Sequence, residues 1–336
     1  MPMRVLSPRN DSWGLWPLFA ILNQRHQTAR MTLRVGVSTP WDLWTLDYGQ
    51  KRERLAAIAD AGLDHVFVGD HVSFIDGSGL DGPIHLAAMS GLEPRLNLHL
   101  GVFQLALRHP VVAARQLASL AEAAPDRLTI GVGVGGEDRH EIEVCEVDPV
   151  TRGRRTDASL FLVRSLLAGQ TVSGDGEFFH FSDAAIKPKP KPSIPFMIGG
   201  RSDAALDRAG RLGDGWLAAW CSARRFNEGI SMVEETGAER KVDWRHGLQV
   251  WVGVGSSPAD ARQYVSKGMQ DYYRLSFDLF EHYTPMGTPT QIAEFLAPYI
   301  RAGASLLNLT PCGADRESEL EAIAEVKLLL GGSRPT

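Results

Sequence analysis

Three places in this sequence combine glycine with residue types that can do chemistry, and each follows an apolar run. Gly69, Asp70 and His71 come after HVFV, GVGVGGEDRHE (131–141) continues an apolar segment, and IPFMIGGRS (194–202) ends in glycine, arginine and serine. A carboxylate beside an imidazole allows proton transfer near neutral pH. Glycine lets a ligand approach the backbone closely. These three places hold the candidate functional residues.

The third place has the composition of a phosphate-binding loop. Gly199 and Gly200 permit positive φ, Ser202 is a favoured N-cap, and Arg201 adds a positive charge where the helix begins. The free N–H groups of a first helical turn attract an anion, and so does the positive end of the helix dipole. A tight strand-to-helix turn without a ligand fits the same residues equally well.

The second place is dense in glycine and then in charge. A flat surface for a planar ring is predicted at Gly133, Val134, Gly135 and Gly136. Glu137 is the candidate proton-transfer group above that surface, with Asp138 and His140 beside it. The alternative is close backbone packing, with Glu137 capping the following helix.

Composition and missing motifs exclude several classes of protein. The 336 residues are 44% hydrophobic, carry a net charge of −5 and contain no long basic run. This argues against nucleic-acid binding, which needs a concentrated Lys/Arg surface. Three dispersed cysteines indicate neither disulfides nor zinc, and G-x-S-x-G, H-E-x-x-H and P-loop motifs are absent. The apolar run at 13–22 is too short to span a bilayer. We expect a cytoplasmic protein without a metal site that binds a redox cofactor and a small molecule.

The order of the elements predicts the fold. Eight apolar strand patterns alternate with amphipathic helical segments, at 34–38, 65–70, 96–105, 127–135, 195–200, 215–220, 248–255 and 305–310. Eight parallel strands with helical crossovers are typical of a TIM (β/α)8 barrel, whose active site lies at the carboxyl ends of the strands. We therefore predict one α/β barrel domain over residues 31–336, after a poorly ordered extension at 1–30.

The loops and strand ends add further candidates. Segments 72–83 and 276–288 are predicted lids over the barrel mouth, and 170–193 reads as a small hairpin with a connector. Arg108 is expected to brace a loop. The strand-end residues that are further candidates for cofactor contact are Ser38, Asp70, Phe103 and Gln104, and an apolar mouth is predicted from Trp41, Trp44, Phe74 and Trp220.

From about Arg34 to Leu330 the chain resembles the bacterial luciferase-like family of flavin and deazaflavin oxidoreductases. The resemblance rests on five segments in order, at 60–72, 100–120, 127–143, 148–157 and 194–216. It implies a dimeric TIM barrel with the cofactor ring in its mouth, a ring-side or catalytic role for His71, and phosphate binding by Arg201 and Ser202. It also implies a strand-3 bulge at Phe103–Gln104, where deazaflavin-binding relatives often carry a non-prolyl cis peptide. Phe103 and Gln104 are bulkier than the residues common there.

The resemblance is strongest to the branch that uses coenzyme F420. It implies hydride transfer between the deazaflavin ring and a carbonyl, alcohol or activated alkene, with His71 or Glu137 moving the accompanying proton. The alternative is an FMN-dependent two-component monooxygenase that needs a separate reductase. A non-catalytic flavin-binding protein is a third interpretation. A barrel lyase or aldolase is disfavoured because no lysine stands at a strand end to form a Schiff base.

The boundary at residue 31 can be tested by truncation. A chain that begins at Met31 is expected to fold and to bind cofactor as the full chain does, because the first strand pattern begins at Arg34. Thermal unfolding and cofactor titration of both chains measure this. Loss of either property on truncation would contradict the boundary.

Overall fold

Eight parallel strands close into a barrel in the computed structural model, which describes residues 32–40, 42–136 and 138–331. The barrel strands are β1 (Arg34–Ser38), β2 (His65–Val68), β3 (Asn97–Gln104), β4 (Leu128–Gly133), β7 (Phe196–Gly199), β8 (Gly215–Ala219), β9 (His246–Val254) and β11 (Ala304–Cys312). All eight lie where the sequence predicts them. Strand β10 (Met286–Gly287) adds a short parallel pair to β9.

The strand order establishes closure. Neighbours run β9-β11-β1-β2-β3-β4-β7-β8, and β8 pairs again with β9, so the sheet has no free edge among these eight strands. Register is continuous at the seam, where Leu217 pairs with Gly247 and Ala219 with Gln249. The predicted TIM barrel is confirmed. Its interior is packed by side chains, and the carboxyl ends of all eight strands meet at one mouth.

Helices cover the outside of the barrel. Those of the described part are α1 (Tyr48–Asp60), α2 (Gly82–Ser90), α3 (Pro110–Ala123), α4 (Arg139–Glu143), α5 (Arg152–Leu167), α6 (Asp203–Leu212), α7 (Ala223–Thr236), α8 (Pro258–Tyr273), α9 (Pro289–Arg301) and α10 (Arg316–Leu329). Three begin with proline, which has the required φ and lacks the N–H that a first turn leaves unpaired. Ser202, Ser222 and Ser257 cap α6, α7 and α8.

The segment between α5 and β7 contains the predicted hairpin. Strands β5 (Val172–Asp175) and β6 (His180–Ala184) pair antiparallel, outside the barrel sheet. The predicted extension at 1–30 lies outside the described residues, and the single domain over 31–336 stays a prediction. In the described ranges, we find no helix with the length and apolar character needed to cross a bilayer.

A buried lysine joins the last helix to the first two strands. Lys327 of α10 is 2% exposed, and its Nζ donates to the Gly62 carbonyl at 2.8 Å and lies 2.8 Å from Asp64 Oδ2. The same carboxylate oxygen accepts the Val35 N–H of β1 at 2.7 Å. Because a buried cation must be paired, these contacts fix where α10 docks.

Replacing this lysine tests its contribution to stability. Lys327→Met is expected to lower the free energy of unfolding by about 2 to 4 kcal/mol, because the Gly62 carbonyl and Asp64 lose a buried partner. Urea denaturation followed by circular dichroism measures it. Lys267→Met is the control, because Lys267 forms an exposed pair with Asp271 on α8 and is expected to change stability by less than about 0.5 kcal/mol. Equal stability of the two variants would contradict this role.

Candidate functional site

The end of β2 is anchored by a buried carboxylate. Asp70 is 1% exposed; its two oxygens each accept one Arg108 nitrogen at 2.7 Å, and they also accept the backbone N–H groups of Gly82 and Gln104. Burial raises the pKa of Asp70, and Arg108 and the two N–H groups oppose the rise. Asp70 is therefore a structural anchor with no free oxygen for a cofactor. Arg108 also contacts Asp81, which confirms that it braces this loop.

His71 follows the anchor and lies in a cluster of polar and aromatic groups. Its Nδ1 lies 3.1 Å from Glu141 Oε2, and its Nε2 lies 2.9 Å from the Tyr272 hydroxyl. The Phe74 ring packs on the imidazole with centroids 4.2 Å apart. An ionised carboxylate can only accept hydrogen bonds, so the imidazole nitrogen that faces Glu141, Nδ1, carries the proton. The other nitrogen, Nε2, can then exchange a proton with the Tyr272 hydroxyl.

Glu141 is an ionised, buried carboxylate. It is 3% exposed, and it accepts N–H groups from Val72 and Ser73 and the Gln104 side-chain amide. Burial raises its pKa, but the hydrogen bonds from His71, Gln104 and Val72 outweigh burial and lower the pKa to about 2. Its charge therefore stabilises the folded state above the ordinary pKa of 4.5, and that contribution is lost as the pH falls towards 2.

The sequence makes Glu137 the candidate proton-transfer group of this loop, whereas the carboxylate that contacts His71 in the structure is Glu141. Glu137 lies outside the described residues. Asp138 caps α4 by accepting the His140 N–H, and its other oxygen accepts the Ile75 N–H at 2.6 Å. Glu141 is thus the third residue of α4, where a capping-box glutamate would bond back to the backbone N–H of the N-cap residue. Its carboxylate instead contacts His71 and accepts the Val72 N–H of the lid. That spacing was the available signal for Glu141; Tyr272, 201 residues from His71, had none.

The irregularity in β3 falls two residues before the predicted one. Register with β4 shifts between Leu100 and Phe103, and the peptide bond Gly101–Val102 is cis, whereas Phe103–Gln104 is not. Phe103 is fully buried in the core, with the Arg108 guanidinium 4.7 Å above its ring. The Phe103 side chain therefore has no exposed surface to offer a cofactor in this structure.

The predicted glycine surface is filled by a side chain of this protein. A Cβ on Gly133 would lie 2.4 Å from Val102 Cγ2, and one on Gly199 would lie 2.8 Å from Val102 Cγ1. These glycines make room for the half-buried Val102, so a ring in the mouth would meet Val102 and not a bare glycine floor. Gly135, at φ +72°, makes room for the Gln104 amide in the same way. Gly136 is open, and the neighbouring Val134 is half-buried.

Two side-chain amides, those of the half-buried Gln249 and the buried Asn308, support the bulge in β3. The Gln249 side chain donates to the Gly101 carbonyl at 2.8 Å, and Asn308 donates to Gln249 at 3.1 Å. Asn308 in turn pairs with His65 at 2.8 Å, and burial lowers the pKa of His65 to about 3. The imidazole therefore stays neutral, and these side chains hold the bulge without adding charge.

The Gly199–Ser202 segment has the backbone geometry of the predicted phosphate loop. Gly200 adopts φ +119°, and a Cβ there would lie 2.9 Å from that of Ala205. Ser202 Oγ accepts the Ala205 N–H, and Trp216 Nε1 donates to the Gly200 carbonyl at 2.6 Å. Arg201 is exposed and 6.0 Å from the Trp220 ring, and no ion pair holds it within the described ranges.

The remaining predicted residues divide between the mouth and its surroundings. Phe74 and Trp220 lie at the mouth, and the backbone carbonyl of the half-buried Ser38 accepts a hydrogen bond from the Arg316 guanidinium. Trp44 stacks on His85 with centroids 4.0 Å apart and packs on the core. Trp41 lies outside the described residues. A separate cavity of about 550 Å³ opens at the other end of the barrel, beside Arg34 and Arg245, away from all of these.

Comparison with known proteins places the chain in a family. The model of the luciferase-like monooxygenase family matches residues 31–284. An uncharacterized protein of Mycobacterium tuberculosis is 34% identical over 219 residues, 64% of this chain and 75% of that protein. F420-dependent glucose-6-phosphate dehydrogenase of Beutenbergia cavernae is 34% identical over 163 residues, 47% of this chain and 48% of that enzyme. The match thus spans about half of that dehydrogenase.

Solved structures share the fold. An F420-dependent secondary alcohol dehydrogenase in complex with an F420-acetone adduct aligns with a TM-score of 0.77 at 17% identity, over 89% of this chain and 99% of that one. The oxygenating constituent of 3,6-diketocamphane monooxygenase from Pseudomonas putida, in complex with FMN, aligns with a TM-score of 0.69 at 15% identity. That alignment covers 88% of this chain and 98% of the other. Because the family model covers the barrel from β1 to the second predicted lid, this chain belongs to the luciferase-like monooxygenase family of oxidoreductases.

Proposed function

We propose that this protein is an F420-dependent oxidoreductase that transfers a hydride between the deazaflavin ring and a carbonyl, alcohol or activated alkene of a small organic molecule. The observation that carries the proposal is the His71, Glu141 and Tyr272 cluster at the barrel mouth. The names of relatives that are about a third identical over half the chain support F420 as the cofactor. The homodimer and cytoplasmic location implied by the family belong to the same proposal.

The residues of the mouth fit a ring cofactor that carries phosphate. At the end of β7, Gly200 permits close approach, and Arg201 stands at the start of α6 without a carboxylate partner in the described ranges. Asp203 of the first turn is itself neutralised by an ion pair with Arg225. Arg201 and the free N–H groups of α6 would hold the phosphate. The half-buried Val102 would offer the ring an apolar surface.

The chain supplies proton transfer at His71. Glu141 fixes the Nδ1–H, so that His71 Nε2 and the Tyr272 hydroxyl form the exchangeable end of the cluster. F420, when bound, supplies a ring carbon that donates or accepts a hydride. Tyr272 Oη would then exchange the proton at the substrate oxygen: in the oxidation direction Tyr272 takes that proton and passes its own to His71 Nε2, and in the reduction direction the protonated His71 returns it. The ordered lid backbone at Val72 and Ser73 helps to exclude water from this exchange.

Cofactor titration tests the first part of the proposal. Purified protein is expected to bind F420 more tightly than FMN, measured by quenching of cofactor fluorescence. Arg201→Ala should weaken F420 binding by about tenfold, because a charged hydrogen bond to phosphate is lost. Arg224→Ala is the control, since Arg224 is exposed and paired with Glu228 on the next helix. Tight FMN binding without F420 binding would favour the two-component monooxygenase instead.

Carboxylate variants test which acid serves His71. Glu141→Gln is expected to lower kcat by about tenfold or more and His71→Ala by about a hundredfold, with the F420 affinity unchanged. Glu137→Gln is the matched comparison and should keep most of the activity. Because the pKa of Glu141 is about 2, its ionisation should leave no acidic limb in the wild-type rate profile between pH 5 and 8. A larger loss in Glu137→Gln than in Glu141→Gln would reverse the assignment.

A further inference from the structure

We propose that the barrel mouth selects an uncharged substrate with an aromatic or apolar body and that Trp220 is the residue that determines this specificity. The inference deepens the proposed function and rests on it, since it concerns the substrate of the same mouth. It also departs from the relatives whose names give glucose 6-phosphate as substrate.

The backbone of Trp220 is the first observation. Directly after β8, Trp220 adopts φ +45°, a left-handed conformation that is rare for a bulky residue. Such a conformation costs about 1 to 2 kcal/mol for an L-residue other than glycine. Bulky residues held there cluster at ligand sites, where the surroundings over-determine them. The indole of this residue lies 6.0 Å from the Arg201 guanidinium, beside the predicted phosphate loop.

The contacts of the indole are the second observation. The Trp220 ring packs on Phe280 at 4.8 Å and on Tyr273 at 5.4 Å between centroids. Tyr273 packs on Tyr272 at 4.7 Å, and Tyr272 on Phe74 at 5.4 Å. We call these rings, together with Trp251, the aromatic wall; its members are Phe74, Trp220, Trp251, Tyr272, Tyr273 and Phe280.

The aromatic wall connects the two functional ends of the mouth. At one end Tyr272 bonds His71, and at the other the Arg201 guanidinium lies 6.0 Å from the Trp220 ring. Phe74 is 4% exposed, and Trp251 and Phe280 are each 7% exposed, so they form a packed backing. Trp220, Tyr272 and Tyr273 are only half-buried. A substrate held near His71 therefore meets rigid aromatic surface, which binds apolar groups by area and contributes few polar contacts.

The charges around the aromatic wall disfavour an anionic substrate. Arg274 pairs with Asp76 at 3.0 Å, Arg262 with Glu281 at 2.6 Å, and Arg316 with Glu319 at 3.1 Å. Recognition of a sugar phosphate needs a cation that is free to bind it. Arg201, by contrast, forms no ion pair within the described residues, and the cofactor phosphate would occupy it.

Two carboxylates lie beside His71 and the lid that follows it. Glu141 contacts His71 directly, and Asp138 holds the Ile75 N–H of the same lid. Both would repel a phosphate or carboxylate placed beside Tyr272. A neutral alcohol or ketone meets no such repulsion, and its single oxygen can pair with the Tyr272 hydroxyl.

Direct binding and turnover of two probes test this inference. We would titrate the protein, with and without F420, with 1-phenylethanol and with glucose 6-phosphate by calorimetry, and follow F420 reduction with each. Oxidation of 1-phenylethanol gives acetophenone; the carbinol carbon loses a hydride to F420, and the hydroxyl loses a proton to the Tyr272 and His71 pair. We expect binding and turnover of 1-phenylethanol, and neither with glucose 6-phosphate.

Variants of Trp220 assign the specificity to that residue. Trp220→Ala should raise the KM or Kd for 1-phenylethanol by about tenfold, as expected for the loss of a large aromatic contact, and Trp220→Phe should restore most of the affinity. The F420 affinity of each variant is measured separately, because Arg201 lies beside the same ring. Thermal unfolding of each variant reports whether it is folded.

The outcomes separate this inference from the proposed function. F420 binding with preferred turnover of glucose 6-phosphate would overturn the substrate class and leave the F420 assignment intact. Unchanged 1-phenylethanol affinity in a folded Trp220→Ala variant would overturn the role of Trp220. If the protein does not bind F420, the proposed function fails, and probe binding to the cofactor-free protein still decides the substrate class.

Discussion

The ion pair between Asp70 and Arg108 is the interaction on which the candidate site depends. It lies where β2 and β3 end side by side, and the same carboxylate also accepts the N–H groups that begin α2 and end β3. Removing a carboxylate from water is costly, so a buried one is retained only when its oxygens are fully paired. These four hydrogen bonds come from Gly82, Gln104 and Arg108, so satisfying Asp70 fixes the start of α2 relative to the end of β3 and the turn that follows it.

The orientation of His71 follows from that anchor. Gln104 donates through one amide nitrogen both to the Asp70 carbonyl and to Glu141, so the anchor and the proton-transfer cluster share a residue. Glu141 then bonds two N–H groups of the lid that follows His71. The buried Glu141 carboxylate thus determines which nitrogen of His71 is protonated and also holds the backbone of the lid. The chemistry and the order of the loop have the same physical cause.

The floor of the mouth shows how close packing is achieved. Glycines on β4 and β7 leave the space that Val102 fills, and the hydrogen-bonded side chains of Gln249, Asn308 and His65 hold the carbonyl before Val102. Any side chain at those glycines would displace the valine. The aromatic wall is also closely packed, because its buried rings lie behind its half-buried ones. The mouth is therefore preformed by packing, with one proton-exchanging end and one cationic end.

The sequence by itself determined the barrel, because eight apolar runs and their capped helices carry local signals of strand and helix that do not depend on distant contacts. It also identified the segments that form the mouth, including His71 and the Gly199–Ser202 loop. The tertiary structure alone decided which carboxylate contacts His71, because Glu141 reaches the imidazole only once α4 begins at Arg139 and the fold brings the start of α4 to the end of β2. The tertiary structure likewise decided that the Phe103 side chain is buried in the core and that Val102 fills the space beside Gly133 and Gly199. It also brings Tyr272 into contact with His71, although the two residues are 201 positions apart in the sequence. Such pairings are set by the closure of the barrel, which brings strand ends together regardless of their separation along the chain.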